Sequence, residues 1–260
     1  MNGEETLDRA FETVECIAFS GEGFREDRQE VCTEDIVVIT LNGRPIVTQV
    51  ATAAQLEELG AGFVISQGLA TRIEEVRVEG LTIHVRAPER SEAVHSIIES
   101  CGGAMGNMLV SPVKSSLVID KGLVFTVISH IVSSLWEKTG GAHCSVLFSE
   151  GRLVAKSSDI GRHNTVDKVI GYAALNGIDL SKCVLGCTGR QPLGMITKAA
   201  NAGIPIVVSK AATTSKGIVQ AKKAGITLVG RVKEGSFCVY SYPGRIEGIA
   251  ESRESTIHER

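Results

Sequence analysis

Two short segments combine glycine with arginine or histidine directly before a predicted helix. Gly161-Arg162-His163-Asn164 precedes one helix, and Asn164 with Asp167 has the spacing of a capping box. Cys187-Thr188-Gly189-Arg190 follows a predicted strand and precedes the next helix, where open α/β sheets bind ligands. Backbone N–H groups at a helix start, together with arginine, bind phosphate or the edge of a base. Both segments indicate an anion site, although a capped helix with a structural histidine gives the same pattern.

The thiol of Cys101 is a third candidate. It lies within residues 100–114, where three glycines and a proline predict a loop. A thiol reacts as the thiolate and only where a reactant reaches it, and this loop offers access. A lone cysteine can equally be structural or incidental. The other cysteines lie in or beside apolar segments and are interpreted as small residues in or near the core: Cys16, Cys32, Cys144, Cys183, Cys187 and Cys238.

Metal binding and a cysteine–histidine catalytic pair are both disfavoured. Cys183 and Cys187 would lie on one face of a strand about 13 Å apart, too far to share a zinc ion. No second pair of Cys or His stands nearby in the sequence. His143 and Cys144 are adjacent on a predicted strand, which directs their side chains to opposite faces. We therefore predict no metal ligands.

The composition is that of a globular protein with an aliphatic core, since 43% of the 260 residues are apolar and only 4% aromatic. The length predicts one large domain or two small ones. The scattered cysteines favour a reducing compartment. The acidic N-terminus lacks a basic-then-apolar leader, and no apolar run approaches the roughly 20 residues that span a bilayer. We expect a soluble, cytoplasmic protein without membrane contact.

Charge is distributed unevenly along the chain. The formal net charge is −3, but residues 138–234 contain 14 Lys or Arg and five Asp or Glu, a local charge of +9. The remainder therefore carries −12. An anionic ligand on the second half of the chain explains this asymmetry, and so do solvated lysines on helix faces.

The elements that must position these residues follow from hydrophobic periodicity. Alternation around Asn42-Gly43 predicts a β-hairpin over residues 35–50. A helix at 52–67, two short strands at 76–78 and 82–85, and a helix at 124–137 follow. Strands and helices then alternate to residue 240, with helices starting at Thr165, Met195 and Ser215, which indicates an α/β layer with a mixed sheet. We predict an N-terminal subdomain at 1–115 that includes the Cys101 loop, an α/β domain at 116–246 and a polar tail at 247–260.

Several of these segments resemble the signature blocks of the FdhD/NarQ family. The sequence TGGAH at 139–143 and the block DIGRHNTVDKVIG at 159–171 resemble its two hallmark motifs. Further matches are LNG at 41–43, the Gly189-Arg190 pair with KAANAGIP at 198–205, GITLVG at 225–230 and VYS at 239–241. The matches are collinear from about residue 33 to 246, and the long GRHN block makes chance a poor explanation.

The resemblance implies a sulfur carrier for formate dehydrogenase. Such proteins accept sulfur from a cysteine desulfurase as a cysteine persulfide. They pass it to the molybdenum or tungsten bis(molybdopterin guanine dinucleotide) cofactor, which the formate dehydrogenase apoenzyme needs in sulfurated form. The family fold is a homodimer of a small N-terminal α+β subdomain on an α/β domain similar to cytidine deaminases. The zinc-deaminase signature is missing here, so deaminase chemistry does not follow from the fold.

The resemblance also implies site residues. Cys101 matches the loop cysteine that carries the persulfide, whereas Ala104 stands where many members have a second cysteine. Without that thiol a persulfide on Cys101 cannot be discharged locally as a disulfide, which favours transfer. A cofactor-binding turn near the C-terminus matches six residues, with Arg231 replacing a frequent aromatic: Arg231, Val232, Lys233, Glu234, Gly235 and Ser236. The groups expected to hold guanine or pyrophosphate are Arg162, His163, Asn164, Gly189 and Arg190.

The implied partners are a cysteine desulfurase, a formate dehydrogenase apoenzyme and a second copy of the chain, with no nucleic acid or membrane. The cofactor is a bound substrate, and a GDP-like nucleotide can occupy its site. An alternative from another class is a non-catalytic chaperone that binds the cofactor and inserts it into the apoenzyme, which Ala104 favours. A nucleotide-binding regulatory domain without a sulfur role is a further alternative.

Overall fold

A computed structural model describes residues 10–90, 97–98, 104–105 and 110–249. The predicted carrier Cys101 lies outside the described residues, as does the tail beyond residue 249. The described chain contains two larger sheets, two small two-stranded sheets and six α-helices.

An antiparallel hairpin that the sequence reasoning did not predict opens the described chain. Its strands are β1 (Phe11–Ser20) and β2 (Gly23–Cys32). The base of this hairpin packs Phe11 and Cys32 against the buried side chains of Leu135 and Ala142. Charged residues interrupt both strands, which weakens the alternation that would have marked them.

The N-terminal sheet has the strand order β4-β3-β6-β5 and is covered by the first helix. The predicted hairpin is confirmed, and its turn residues Asn42 and Gly43 have φ of 49° and 81°, the left-handed values that a tight turn requires. The predicted helix at 52–67 begins four residues later than expected, after Gln55. The elements are β3 (Asp35–Leu41), β4 (Arg44–Ala51), α1 (Leu56–Ser66), β5 (Glu75–Glu79) and β6 (Thr82–Arg86). The short strands β7 (Ile97–Ile98) and β8 (Ala104–Met105) pair with each other.

The six-stranded main sheet confirms the predicted mixed α/β architecture. Its order is β10-β9-β11-β12-β13-β14, with the three strands β11, β12 and β13 mutually parallel and the other pairs antiparallel. The strands are β9 (His143–Ser149), β10 (Arg152–Asp159), β11 (Cys183–Cys187), β12 (Ile206–Ser209), β13 (Thr227–Lys233) and β14 (Ser236–Ser241).

Helices cover both faces of this sheet. They are α2 (Lys121–Ser129), α3 (Ser134–Thr139), α4 (Arg162–Leu175), α5 (Leu193–Asn201) and α6 (Ser215–Ala224). Alternate residues of each strand face opposite sides, so that Leu147 meets the α4–α5–α6 layer while Val146 and Phe148 meet α2.

The single helix predicted at 124–137 is wrong. The chain forms α2 and α3 instead, separated by residues 130–133. Ser133 is extended, and its hydroxyl accepts a hydrogen bond from the backbone N–H of Trp136, so it caps a new helix. The predicted glycine stop is confirmed, because Gly140 ends α3 with a left-handed φ of 66°.

Two glycines allow the backbones of α1 and α4 to touch. A Cβ placed on Gly62 would lie 1.7 Å from the carbonyl oxygen of Asp167, and one on Gly171 would lie 1.9 Å from that of Glu58. Neither position tolerates a side chain without displacing a helix. Through α1, the N-terminal sheet is therefore held against α4, the helix that begins at Arg162 within the Gly161-Arg162-His163-Asn164 segment.

Candidate functional site

Strand topology brings the predicted site segments to one edge of the main sheet. The parallel strands β11, β12 and β13 all end at this edge, so the segment that contains Gly189 and Arg190 leaves the sheet there. Strand β9 runs antiparallel to β11 and starts there, and the last residue of β10 pairs with its first residue, Asp159 with His143. The turn that carries Arg162 and His163 therefore leaves the same edge.

A cavity of about 650 Å³ lies at this edge, between the N-terminal sheet and the start of α4. Its polar wall includes the predicted residues Arg162, His163 and Asn164, together with His143. Its apolar wall, which the sequence reasoning did not identify, comes from β3, β4 and α1: Ile36, Val47, Val50 and Phe63. The predicted hairpin contained a signal for this wall, because its pairing places apolar Ile36 opposite apolar Val50. In the structure both side chains are exposed, at 66% and 49%.

The buried carboxylate of Asp159 fixes the turn that carries Arg162 and His163. It accepts hydrogen bonds from the backbone N–H of Gly161 at 2.8 Å, from Asn164 Nδ2 at 2.9 Å and from Lys168 Nζ at 2.6 Å. The backbone N–H of Thr52 also donates to it, at 3.1 Å. Asp159 thus ties the end of β10 to both α4 and the segment that follows β4.

The predicted helix cap at Asn164 is wrong. The helix α4 starts at Arg162, and Gly161 is its N-cap residue without a side-chain hydrogen bond. Asn164 instead donates from Nδ2 to the carbonyl of Val50 at 2.9 Å and to Asp159. The spacing of residues in the sequence does not reveal that the carboxylate of Asp159 and the backbone carbonyl of Val50 both accept hydrogen bonds from the side-chain amide of Asn164.

The predicted capping role of Asp167 is wrong as well. Its carboxylate oxygens each accept a hydrogen bond from Lys198 Nζ at 2.8 Å, and Oδ1 also accepts one from the Ser66 hydroxyl at 2.5 Å. Lys198 Nζ lies 5.3 Å from the centre of the Phe63 ring. This buried ion pair joins α1, α4 and α5 at the wall of the cavity, which Asp167 and Lys198 help to line.

The structure brings the two predicted anion segments into contact. A Cβ on Gly189 would lie 2.8 Å from Cδ and 3.0 Å from Cβ of Arg162, so the arginine side chain crosses the backbone at Gly189. Arg190, the next residue, is exposed. Glycine is required at position 189 because of this close approach and not because of its φ angle.

His143 is held by Thr188. Its Nδ1 lies 3.1 Å from Thr188 Oγ1, which also accepts a hydrogen bond from the backbone N–H of Cys144 at 3.0 Å. Partial burial lowers the pKa of His143, and the nearby positive charge of Arg162 lowers it further, while the carboxylate of Asp159 partly opposes this shift. His143 is therefore neutral at neutral pH. Cys144 lies in the apolar cluster that faces α2, as expected for adjacent residues on a strand.

The sequence profile of the FdhD/NarQ family matches residues 32–247. This chain belongs to the FdhD/NarQ family. It is 31% identical to protein FdhD of Methanocaldococcus jannaschii over 86% of this chain and 93% of the relative. It is 31% identical to the sulfur carrier protein FdhD of Bacillus subtilis, over 85% and 91%. The crystal structure of a formate dehydrogenase accessory protein from Desulfotalea psychrophila matches with a TM-score of 0.79, 28% identity and coverage of 91% and 99%.

The segment implied by the family to bind the cofactor extends the same edge. Strand β13 continues past the end of β12, and Arg231 interrupts its pairing with a left-handed φ of 55°. Its backbone N–H donates to the carbonyl of Ala211 at 3.2 Å. Val232 is buried in the cluster that faces α2, so its side chain is not available to a ligand. The other members of this segment are exposed: Arg231, Lys233, Glu234, Gly235 and Ser236.

Some of the positive charge of residues 138–234 is buried in ion pairs, and some is exposed at the sheet edge. Lys168 and Lys198 are buried in ion pairs with Asp159 and Asp167 and contribute nothing to the field outside. Four exposed cations lie at the sheet edge and beyond it: Arg190, Lys210, Arg231 and Lys233. Lys210, which the sequence reasoning did not single out, follows β12 as Arg190 follows β11, and this shared position was the signal for it.

The described cysteines differ in access. Burial raises the pKa of Cys187 to about 12 and that of Cys183 to about 11, so neither is a nucleophile at neutral pH. The expectation that Cys238 lies in or near the core is wrong, because it is exposed on β14. Within the described ranges, no group of three or more His, Cys, Asp or Glu is arranged to hold a metal ion. No helix among these residues is long and apolar enough to cross a membrane.

Proposed function

We propose that this chain is a sulfur carrier that sulfurates the bis(molybdopterin guanine dinucleotide) cofactor, with molybdenum or tungsten, of a formate dehydrogenase. The family relatives named sulfur carrier protein FdhD support this proposal. The neighbour described as a formate dehydrogenase accessory protein supports the identity of the enzyme served. The chain acts in the cytoplasm as a homodimer, with a cysteine desulfurase and the apoenzyme as its partners.

The observation that carries the proposal is the single sheet edge that combines the cavity with exposed cations. The cofactor is an anionic substrate with guanine dinucleotide arms, and Arg190, Lys210, Arg231 and Lys233 provide a positive field for its phosphates. Asp159 fixes the backbone turn that carries Arg162, and the aliphatic part of the arginine side chain packs against Gly189, so the position of this side chain is set by the fold. These residues bind and orient the substrate, and they supply no nucleophile.

The nucleophile in this proposal is Cys101. Its thiolate attacks the terminal sulfur of the desulfurase persulfide, a new S–S bond forms on Cys101, and the desulfurase cysteine leaves as a thiolate. In the second transfer the S–S bond of the Cys101 persulfide breaks, Cys101 leaves as a thiolate, and the terminal sulfur is bound by the cofactor at the edge as sulfide, with the two electrons supplied by the reduced metal of this substrate. Since Ala104 replaces a second thiol, the persulfide is preserved for this second transfer.

The test is intact-mass measurement after incubation with a cysteine desulfurase and cysteine. We expect a mass increase of one sulfur atom that reducing agent removes and that is absent from Cys101→Ala. Cys238→Ala is the matched control, because it removes an exposed thiol and should retain the adduct. An adduct that persists in Cys101→Ala contradicts the carrier assignment.

A non-catalytic cofactor chaperone is a second candidate. The substitution at Ala104 favours it. So does the make-up of the sheet edge, where the described residues include exposed cations but no accessible thiol. A strain with Cys101→Ala that still produces active formate dehydrogenase would select this function over sulfur transfer.

A further inference from the structure

The hairpin of β1 and β2, here called the arm (residues 11–32), presents an apolar tip to solvent. Its strands are ten residues long, about 30 Å, and its base packs against α3. At the far end, Ile17, Phe19 and Phe24 are 65%, 70% and 79% exposed. Phe19 and Phe24 are cross-strand partners whose ring centres lie 5.1 Å apart, and Ile17 lies on the same face of the strand as Phe19. The tip is therefore a single apolar patch on one face of the arm.

The residues around this tip are mainly acidic. The arm contains six Asp or Glu and two Arg, a net charge of −4. Glu22 lies in the turn and Glu26 lies opposite Ile17, and both are exposed. An exposed apolar patch with a polar rim marks an interaction site, and its negative charge disfavours anionic lipid and nucleic acid. The surface that covers the tip should therefore be basic with an apolar centre.

The outer face of α6 has this complementary arrangement on the same chain. Val219 is 48% exposed at the centre of the face. Residues three and four positions away on a helix are neighbours, and three of the four neighbours of Val219 are exposed lysines: Lys216, Lys222 and Lys223. The helix contains no Asp or Glu. This face includes neither the residues that line the cavity nor the four cations of the sheet edge, so the proposed function leaves it without a role.

The arm and the α6 face match in charge and in apolar chemistry. A lysine ammonium is attracted to the face of a phenylalanine ring, and its aliphatic stem packs against apolar surface. In a symmetric dimer the same contact forms twice. Four rings bury about 150–250 Å² each, which together with the surface that receives them reaches about 1,200 Å² or more, the size of a specific interface. The acidic N-terminal part and the basic residues 138–234 of the chain have the same complementarity.

We propose that the arm of one copy docks on α6 of a second copy, in a symmetric dimer in which Phe19 and Phe24 pack on Val219 and the lysines around it. The proposal rests on the proposed function, which includes a homodimer, and it names the surfaces that form the dimer. The cavity and the cations of the sheet edge take no part in this contact, so the dimer leaves them to the substrate.

The decisive test exchanges the charges of the two surfaces in the full chain. Glu22→Lys with Glu26→Lys on the arm should weaken self-association about tenfold or more, and so should Lys216→Glu with Lys223→Glu on α6. A mixture of these two variants should form a heterodimer with an affinity within about twofold of the wild-type dimer. In that heterodimer the reversed arm meets the reversed helix, and the native arm meets the native helix. Sedimentation velocity measures the affinities, and native mass spectrometry identifies the heterodimer.

The apolar part of the contact is tested separately. Phe19→Ser with Phe24→Ser keeps the charge of the arm and should weaken the dimer about tenfold or more. Leu81→Ser, an apolar residue 38% exposed in the turn between β5 and β6, is the matched control. Glu57→Lys with Glu79→Lys, two exposed acids on α1 and β5, is the control for charge. Both controls should leave the dimer affinity unchanged, and unfolding curves verify that every variant is folded.

Three results would overturn the interface. The first is a wild-type chain that is monomeric at all concentrations tested, and the second is a mixture of the charge variants that associates no more tightly than either variant alone. The third is a monomer in which Phe19→Ser with Phe24→Ser abolishes the sulfur adduct on Cys101, which would assign the arm to the desulfurase. An adduct on a monomeric chain refutes the interface and leaves the carrier function intact, whereas a dimer without the adduct refutes the carrier and leaves the interface.

Discussion

Buried and exposed charges in this protein come from the same part of the chain but do different work. Asp159, Asp167 and Lys168 of the signature block are fully or almost fully buried, and they join α4 to neighbouring elements. Arg190 and Arg231 lie at the sheet edge with their side chains in solvent. The first group builds the support, and the second forms an exposed, positively charged surface at which we propose that an anionic substrate binds.

This contrast shows that a signature motif is not the same as a binding site. In the block at 159–171, Arg162 and His163 line the cavity, whereas the polar groups of Asp159, Asn164 and Lys168 are engaged in internal hydrogen bonds. The asymmetry of charge in the sequence likewise counts lysines that the fold neutralises. Substitutions in the buried group and in the exposed group test this difference between them.

The largest effect is expected for Lys168→Met. It leaves the carboxylate of Asp159 buried without its cationic partner, which costs about 3–5 kcal/mol of unfolding free energy. Chemical denaturation measures this loss. Lys182→Met is the control, since its ion pair with Asp179 is more than half exposed on both sides and is worth less than about 1 kcal/mol. Equal losses for the two variants would contradict the distinction between buried and exposed charges.

A smaller loss is expected for Gly62→Ala. The new Cβ would lie 1.7 Å from the carbonyl of Asp167, so α1 and α4 must separate, at a cost of about 1–3 kcal/mol. The separation also widens the cavity, and GDP binding should weaken together with stability. Gly21→Ala is the control, because its Cβ would meet no atom within 4 Å. Retained stability in Gly62→Ala would show that the two helices are not in tight contact.

Substitution of the exposed cations should have the opposite effect, with little change in stability and a loss of anion binding. Arg190→Gln combined with Lys210→Gln should change the unfolding free energy by no more than about 0.5 kcal/mol. The affinity for pyrophosphate should nevertheless fall, and its dependence on salt concentration should become shallower, because two charges near the phosphates are removed. Arg77→Gln on the N-terminal sheet is the matched exposed control. An unchanged salt dependence in the double variant would remove these residues from the binding surface.

The sequence predicted elements whose signals are local. Asn42-Gly43 marked a hairpin turn, and the alternation of strands and helices marked a mixed α/β sheet, because turn geometry and periodicity depend on near neighbours. The predictions from sequence failed where the role of a residue depends on a partner that is distant along the chain. Asp167 has the spacing of a cap but pairs with Lys198, 31 residues away, and Asn164 bonds to Val50 across 114 residues. The cavity depends on such contacts, so only one of its walls was predictable.

The smallest effect on stability is expected for His143, a partly buried residue that is influenced both by the buried charge of Asp159 and by the charge of Arg162. Because its pKa is lowered in the folded protein, the unfolded chain binds a proton more readily below the ordinary value of 6.5. Stability should therefore be unaffected well above pH 6.5 and should decrease as the pH falls through and below that value. His143→Gln should make this part of the decrease disappear in denaturation curves between pH 7.5 and 5.5. An identical pH dependence in wild type and His143→Gln would mean that neither burial of the ring nor the charge of Arg162 lowers the pKa of His143 in the folded protein.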